Sequence, residues 1–231
     1  MIRNVFLDAD DTIFDFLKSE KRALIETLRT VGIEPEPAIL ARYSEINAMH
    51  WKMLERKEIT RSELRVMRYE SFLREIGRTE VSAEETASIY EVELAKGHFY
   101  MEGAEEMLKS IHGKYRLYIT SNGFVRTQTG RLKSAGIGHL FDDLFISQEI
   151  GTDKPNVGFF EVCFSRIQNF RKEETVIVGD SLTSDILGGN NAGIRTVWYN
   201  PKGLPAREDI RPDHEIKHLC ELAPLLELLS T

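Results

Sequence analysis

Short apolar runs punctuate the chain, and several end in an acidic or hydroxyl-bearing cluster. Val5-Phe6-Leu7 leads into Asp8, Leu117-Tyr118-Ile119 into Thr120-Ser121, and Val176-Ile177-Val178 into Gly179-Asp180. Leu144-Phe145-Ile146 and Thr196-Val197-Trp198-Tyr199 have the same character. Unbroken hydrophobicity, rather than alternation, marks strands that are buried on both faces, as in parallel sheets. Helical patterns separate the later runs, for example from Gln128 to Ala135 and from Gly158 to Ile167. Strands alternating with helices predict βαβ units and an α/β fold, a doubly wound parallel sheet covered on both sides.

The pattern changes between the first and second runs. From about Asp15 to His98 only helical signals occur. Leu17, Leu24, Leu28 and Val31 share one helical face, and Gly32 with Pro35 and Pro37 ends that helix. A second helix is predicted from Ala38 to Glu55. A third starts at Thr60, where Thr60-Arg61-Ser62-Glu63 fits a capping box, and a fourth starts at Ser82-Ala83-Glu84-Glu85 on the same logic. The expected division is therefore a catalytic core from 1–14 and 99–231 and a helical cap domain from 15–98. Open α/β sheets bind ligands at the carboxyl ends of their strands. An insert leaving from the end of the first strand is thus predicted to act as a lid. Asn200 to Pro212 reads as a surface loop, and Leu219 to Leu229 as an amphipathic helix closing the core.

Composition narrows the function classes. At 231 residues, with 42% hydrophobic and 29% charged residues, the chain is an ordinary globular protein with room for a core and an insert. A net charge of −7 argues against a surface built for a nucleic-acid polymer. An anionic protein acting on anionic substrates must concentrate positive charge locally, through a metal or a few basic side chains. Cys163 and Cys220 form no Cys-x-x-Cys motif, and no disulfide is expected between them. No signal-peptide pattern precedes Val5, and no apolar run approaches the ~20 residues of a bilayer span, so the expectation is a cytoplasmic protein with no membrane partner.

The clusters at the strand ends carry the chemistry. Asp8 and Asp10 face the same way if the strand persists, and two carboxylates so close repel unless a cation or a proton intervenes. Asp8 can then attack phosphorus while Asp10 protonates the leaving oxygen and later deprotonates water. The hydroxyl of Ser121 and the Ser121-Asn122-Gly123 turn can hold phosphate oxygens; Thr120 offers a neighbouring hydroxyl, but Ser121 directly precedes Asn122-Gly123. Lys154, stiffened by Pro155, can neutralise both nucleophile and phosphoryl group. Asp180 can ligate a hard cation, and Asp185, a turn later, can orient that cation's site from behind. Each cluster alone has a plainer reading as an acidic turn, a Ser turn, a solvated lysine or a strand-Gly-Asp turn. Four of them at four strand ends in compatible order are a poor coincidence.

Other features are weaker. His214 and His218, four apart, could share a helix face as metal ligands, but have no acidic partner motif. Tyr43, Trp51, Tyr69 and Phe72 read as packing in the insert, with stacking on a base as the rival role. The charge run from Arg61 to Arg74 reads as a solvated helix face.

Asp8-x-Asp10-x-Thr12, Ser121, Lys154 and Gly179-Asp180 with Asp185 together resemble the haloacid dehalogenase superfamily over nearly the whole chain. The resemblance implies a Rossmann-like core, an inserted helical cap, and Mg²⁺ bound by the Asp8 carboxylate, the Asp10 backbone carbonyl and Asp180. Asp11 departs from the more usual glycine. Asp-Ala-Asp-Asp-Thr, Ser-Asn-Gly-Phe and Ile186-Leu187-Gly-Gly-Asn-Asn-Ala-Gly look like the branch of house-cleaning pyrimidine and noncanonical nucleoside 5′-monophosphatases. The expected activity is a Mg²⁺-dependent phosphomonoesterase working through an aspartyl-phosphate, with Ser121, Asn122 and Lys154 holding the phosphoryl oxygens. Its partner is a small phosphate monoester, foremost a nucleoside monophosphate; phosphoglycolate or a sugar phosphate is the alternative. Asp10 argues against a haloacid dehalogenase, because halide departure needs no proton. A mutase would keep Asp10 and differ in shielding the intermediate from water. A receiver domain is shorter and lacks the cap, and an idle binding scaffold would not need every catalytic position filled.

Overall fold

Six runs of the chain lie side by side in one sheet of a computed structural model that describes residues 1–230. They are β1 (Asn4–Leu7), β2 (Arg116–Ser121), β3 (Asp143–Ile146), β4 (Thr175–Gly179), β5 (Arg195–Tyr199) and β6 (His214–Ile216). The order is β3-β2-β1-β4-β5-β6, and every neighbouring pair is parallel. β1 is central: Phe6 lies level with Tyr118 on one side and Ile177 on the other. The order reverses between β1 and β4, which makes the carboxyl ends of these two strands the topological switch point.

The chain divides into two compact units. One comprises Met1–Phe16 and everything described from His98 onward; the other is Leu17–Gly97. The second is helical, with α1 (Phe16–Thr30), α2 (Pro37–Glu55), α3 (Arg61–Glu75) and α4 (Ala83–Leu94). The first completes the sheet with α5 (Ala104–Ile111), α6 (Val125–Ala135), α7 (Ser147–Ile150), α8 (Val157–Arg166), α9 (Leu187–Ala192) and α10 (Leu222–Leu228).

Both faces of the sheet are dry. Val5, Leu7, Leu117, Ile119, Val176 and Val178 pack on one side with Met107, Leu108, Leu222 and Leu226. Phe6, Tyr118, Phe145 and Ile177 point to the other side, against Phe159, Phe160 and Cys163 of α8. This is why the strands read as continuous apolar runs. Gly188 and Gly189 let α9 lie flat on that second face. A Cβ on Gly189 would come within 2.5 Å of Thr196 Cγ2 and 2.6 Å of Ile177 Cγ2, inside any tolerable contact.

The helical unit corrects several expectations. Thr60 forms the full capping box with Glu63, whereas Ser82 accepts from the Glu85 N–H at 3.2 Å and donates to Glu84. Leu17 is 58% exposed, so the buried stripe of α1 runs through Ala23, Leu24 and Leu28 and takes in Glu20, whose carboxylate accepts from Asn47 and Ser44. The charge run on α3 is not all solvated. Arg68 is buried because Asn47 Oδ1 accepts its proton at 2.8 Å and the rings of Tyr69 and Tyr90 lie beside its guanidinium. Tyr43, Tyr69 and Phe72 are fully buried, as packing residues are. His214 opens β6 and His218 precedes a short 3₁₀ turn, so the two histidines share no helix face. Among the described residues, no helix is long and apolar enough to cross a membrane.

Candidate active site

A parallel sheet delivers all its strand ends to one edge, and there the acids that follow β1 and β4 meet Ser121 from the end of β2 and Lys154 from the loop after α7. Asp8 follows β1; its backbone N–H donates to the Val178 carbonyl at 2.9 Å, which continues the ladder toward β4. Beyond it the chain folds back tightly. The Asp11 N–H donates to the Phe14 carbonyl at 2.7 Å, and the Phe14 N–H to the Ala9 carbonyl at 2.8 Å. Asp11 sits at φ +56°, a left-handed conformation that glycine usually fills, and accepts the Phe16 N–H at 3.0 Å. Local side-chain bonding is what lets an aspartate occupy that position.

Lys154 is the hub. It is 2% exposed, and its ammonium donates to Asp8 Oδ1 at 2.7 Å, Asp185 Oδ1 at 2.6 Å and the Thr120 carbonyl at 2.5 Å. All three ammonium protons are thereby used. Burial works against its charge, but Asp185 and Asp8 overrule it, so its pKa lies above the usual lysine value. Asn122 fixes the loop that carries it: the amide donates to the Lys154 carbonyl and accepts the Lys154 N–H, each at 2.9 Å. The Asn122 side chain thus holds the loop that carries Lys154. Ser121 is 1% exposed, and its hydroxyl oxygen accepts from the Gly123 N–H at 3.0 Å and the Gln128 side chain at 2.9 Å.

The acids crowd behind this lysine. One carboxylate oxygen each from Asp8, Asp180 and Asp185 lies within 4.8 Å of the others. Asp185 is 1% exposed and engaged on both oxygens, by Lys154 and by the Ser181 N–H at 3.1 Å. Asp180 is anchored through its carbonyl, which accepts from the Trp198 indole at 2.8 Å. Gly179 is required by proximity rather than by a turn, because a Cβ there would lie 2.2 Å from Asp185 Oδ2. Burial pushes the Asp8 carboxyl up to about 8; Lys154 opposes this, and the charges of Asp185 and Asp10 add to it. Burial and the neighbouring Asp8 likewise raise Asp180 well above the carboxylate range. Three oxygen donors that repel one another in a low-dielectric corner fit a hard divalent cation such as Mg²⁺. Asp10 leaves this cluster for α6. Its Oδ2 accepts from Gln128 at 2.7 Å, and its Oδ1 is ion-paired with Arg131.

Two residues of this site were passed over in the sequence reading. Gln128 and Arg131 lie three apart, on one face of α6. A Gln and an Arg at i, i+3 directly after the Ser-Asn-Gly turn was the available signal. Nothing in the sequence distinguishes the buried Arg131 from the exposed Arg126 on the same helix.

Residues 2–193 match the model of a hydrolase family described as haloacid dehalogenase-like hydrolase. The HAD-hydrolase YfnB of Bacillus subtilis is 36% identical over 99% of this chain and 97% of its own length. The pyrimidine 5′-nucleotidase PynA of Streptococcus pneumoniae is 37% identical, covering 96% of this chain and 94% of its own. For the pyrimidine 5′-nucleotidase YjjG of Escherichia coli the identity is 31%, with 96% of each chain covered. A crystal structure of YfnB bound to magnesium superposes with a TM-score of 0.91, covering 97% of this chain and 98% of that one. With the sheet order, the buried lysine among three acids and these likenesses together, the chain belongs to the haloacid dehalogenase-like hydrolases.

Proposed function

We propose that this protein is a Mg²⁺-dependent phosphatase of nucleoside 5′-monophosphates, pyrimidine nucleotides foremost, that works through an aspartyl-phosphate. The observation that carries the reading is the Lys154 ammonium seated between Asp8 and Asp185 beside Asp180. It gives one carboxylate a fixed counter-charge at the switch point of the sheet, where a phosphoryl group with three charged oxygens needs it. The two nucleotidase relatives supply the substrate class.

In this mechanism Asp8 attacks phosphorus, forming an Asp8 O–P bond as the P–O bond to the nucleoside breaks. Asp10 gives its proton to the departing 5′-oxygen. Water then attacks the same phosphorus, its proton passes to Asp10, and the Asp8 O–P bond breaks to release phosphate and restore both acids. Lys154 holds charge on Asp8 and on the phosphoryl oxygens, Ser121 offers its hydroxyl, and Asn122 keeps the lysine loop in place. Asp8, Asp180 and the Asp10 carbonyl would hold Mg²⁺, with Asp185 orienting the group from behind, and the bound ion would supply further positive charge against the phosphoryl oxygens.

The test is phosphate release across ribo- and deoxynucleoside monophosphates, phosphoglycolate and sugar phosphates, in Mg²⁺ and in EDTA. Turnover of the pyrimidine nucleotides in Mg²⁺ and its loss in EDTA are expected. A clear preference for phosphoglycolate or a sugar phosphate removes the nucleotidase assignment. Asp8→Asn is expected to stay folded by circular dichroism and lose at least about 10³-fold in kcat. Wild-type-like release from that variant refutes the nucleophile.

A further inference from the structure

Arg131 is a guanidinium with no exposed side-chain surface. Burying an isolated charge is costly, and a packed apolar residue would fill the space without that cost. Its surroundings are specific. It pairs with Asp10 Oδ1, donates to Gln128 Oε1 at 3.4 Å, and lies 4.7 Å from the centre of the Phe14 ring, on the turn that follows Asp10. Gln128 is 2% exposed, and its amide nitrogen donates to Asp10 Oδ2 at 2.7 Å and to Ser121 Oγ at 2.9 Å. One nitrogen therefore ties Asp10 to Ser121, and the two α6 side chains together hold both oxygens of Asp10.

The Asp10 carboxyl group has about four lone-pair directions, and these two contacts occupy two of them. Directions remain for the proton that the reaction moves. Without the clamp, Asp10 projects from a tight turn, free to rotate about two side-chain torsions. Proton delivery tolerates little such freedom, since a misplacement of about 1 Å can cost roughly 10²-fold.

We propose that Gln128 and Arg131 are positioning residues for Asp10, fixing its carboxyl so that it protonates the leaving oxygen. This rests on the phosphatase reading above. The proposal makes a demand that a structural role does not: the benefit must scale with how badly the leaving group needs a proton. A nucleoside 5′-alkoxide is a poor leaving group, and p-nitrophenolate departs without help.

The experiment compares kcat/KM of the wild type, Arg131→Met, Arg131→Lys and Gln128→Leu on uridine 5′-monophosphate and on p-nitrophenyl phosphate, in Mg²⁺. Arg131→Met and Gln128→Leu are expected to lose about 10- to 100-fold on the nucleotide and at most about threefold on the aryl ester. Arg131→Lys, which keeps the charge, is expected to recover part of the nucleotide activity. If Arg131→Met does not fold, Gln128→Leu decides alone, because it leaves the ion pair intact. Equal losses on the two esters, or none, overturn the positioning role while the phosphatase stands. No phosphate release from either ester by the wild type overturns both.

Discussion

Replacing Lys154 with methionine is the sharpest perturbation of this fold. The side chain would still fill the space, but Asp8, Asp185 and the Thr120 carbonyl would each lose a donor now at 2.7, 2.6 and 2.5 Å. Removing one partner of a buried ion pair costs about 3–5 kcal/mol, because the remaining charge stays buried without compensation. At about 2–4 °C per kcal/mol for a chain of this size, the melting temperature should fall by roughly 6–20 °C. The loss must also depend on pH. Burial already raises the Asp8 carboxyl to about 8, far above its unfolded value, and removing the ammonium raises it further. Between the unfolded value of ~3.9 and that folded value the native state binds more protons than the unfolded state, so stability falls as pH rises. Wild type and variant lose that stability in parallel up to about pH 8, so the part of the deficit that Asp8 contributes should be small at pH 7 and open by about pH 9, where the wild-type carboxyl ionises beside its lysine and the variant's does not. Thermal denaturation in EDTA at the two pH values measures it, and added Mg²⁺ should recover more of the variant's loss than of the wild type's. A melting temperature at pH 9 within about 2 °C of wild type, or a deficit that does not widen between the two pH values, would refute the account of Lys154 as the charge balance of the site.

Mg²⁺ affinity should strengthen as pH rises from 6 to 8, since the cation must displace a proton from Asp8, whose pKa is pushed up to about 8; titration calorimetry in buffers of different ionisation enthalpy should show proton release at the lower pH. Gly179→Ala should cost about 1–3 kcal/mol in urea unfolding and weaken Mg²⁺ binding. The added methyl would sit 2.2 Å from Asp185 Oδ2 and must push that carboxylate away from Lys154.

The fold was legible where the chain obeys one rule at a time. Five of the strands are buried on both faces, so unbroken apolar runs marked them. β6 escaped notice because His214-Glu215-Ile216 lies at the sheet edge, where only Ile216 is buried. Of the candidate site, the acids were legible because they follow the apolar runs of β1 and β4, and Lys154 because it precedes a proline in the loop beyond β3 and α7. Its supports were not. Only the three-dimensional loop shows the Asn122 amide clasping the Lys154 backbone from both sides. Arg68 looked like part of a solvated helix face, and Gln128 and Arg131 drew no functional reading, since a sequence does not show the partner that makes the burial of a polar side chain tolerable. The reason for Gly179 was hidden in the same way, in a carboxylate that approaches from six positions further along.

The switch point has a consequence for synthesis of the chain. Asp8 leaves the ribosome well before its partners, since Lys154 and Asp180 follow 146 and 172 positions later. At about 5–20 residues per second, Asp180 trails Asp8 by roughly 10 to 30 s. During that interval β1 can pair with β2, but its other edge stays open until β4 emerges. The Asp8 side chain therefore waits in water, an ordinary carboxylate, and acquires its buried partners only when the far half of the protein has been made.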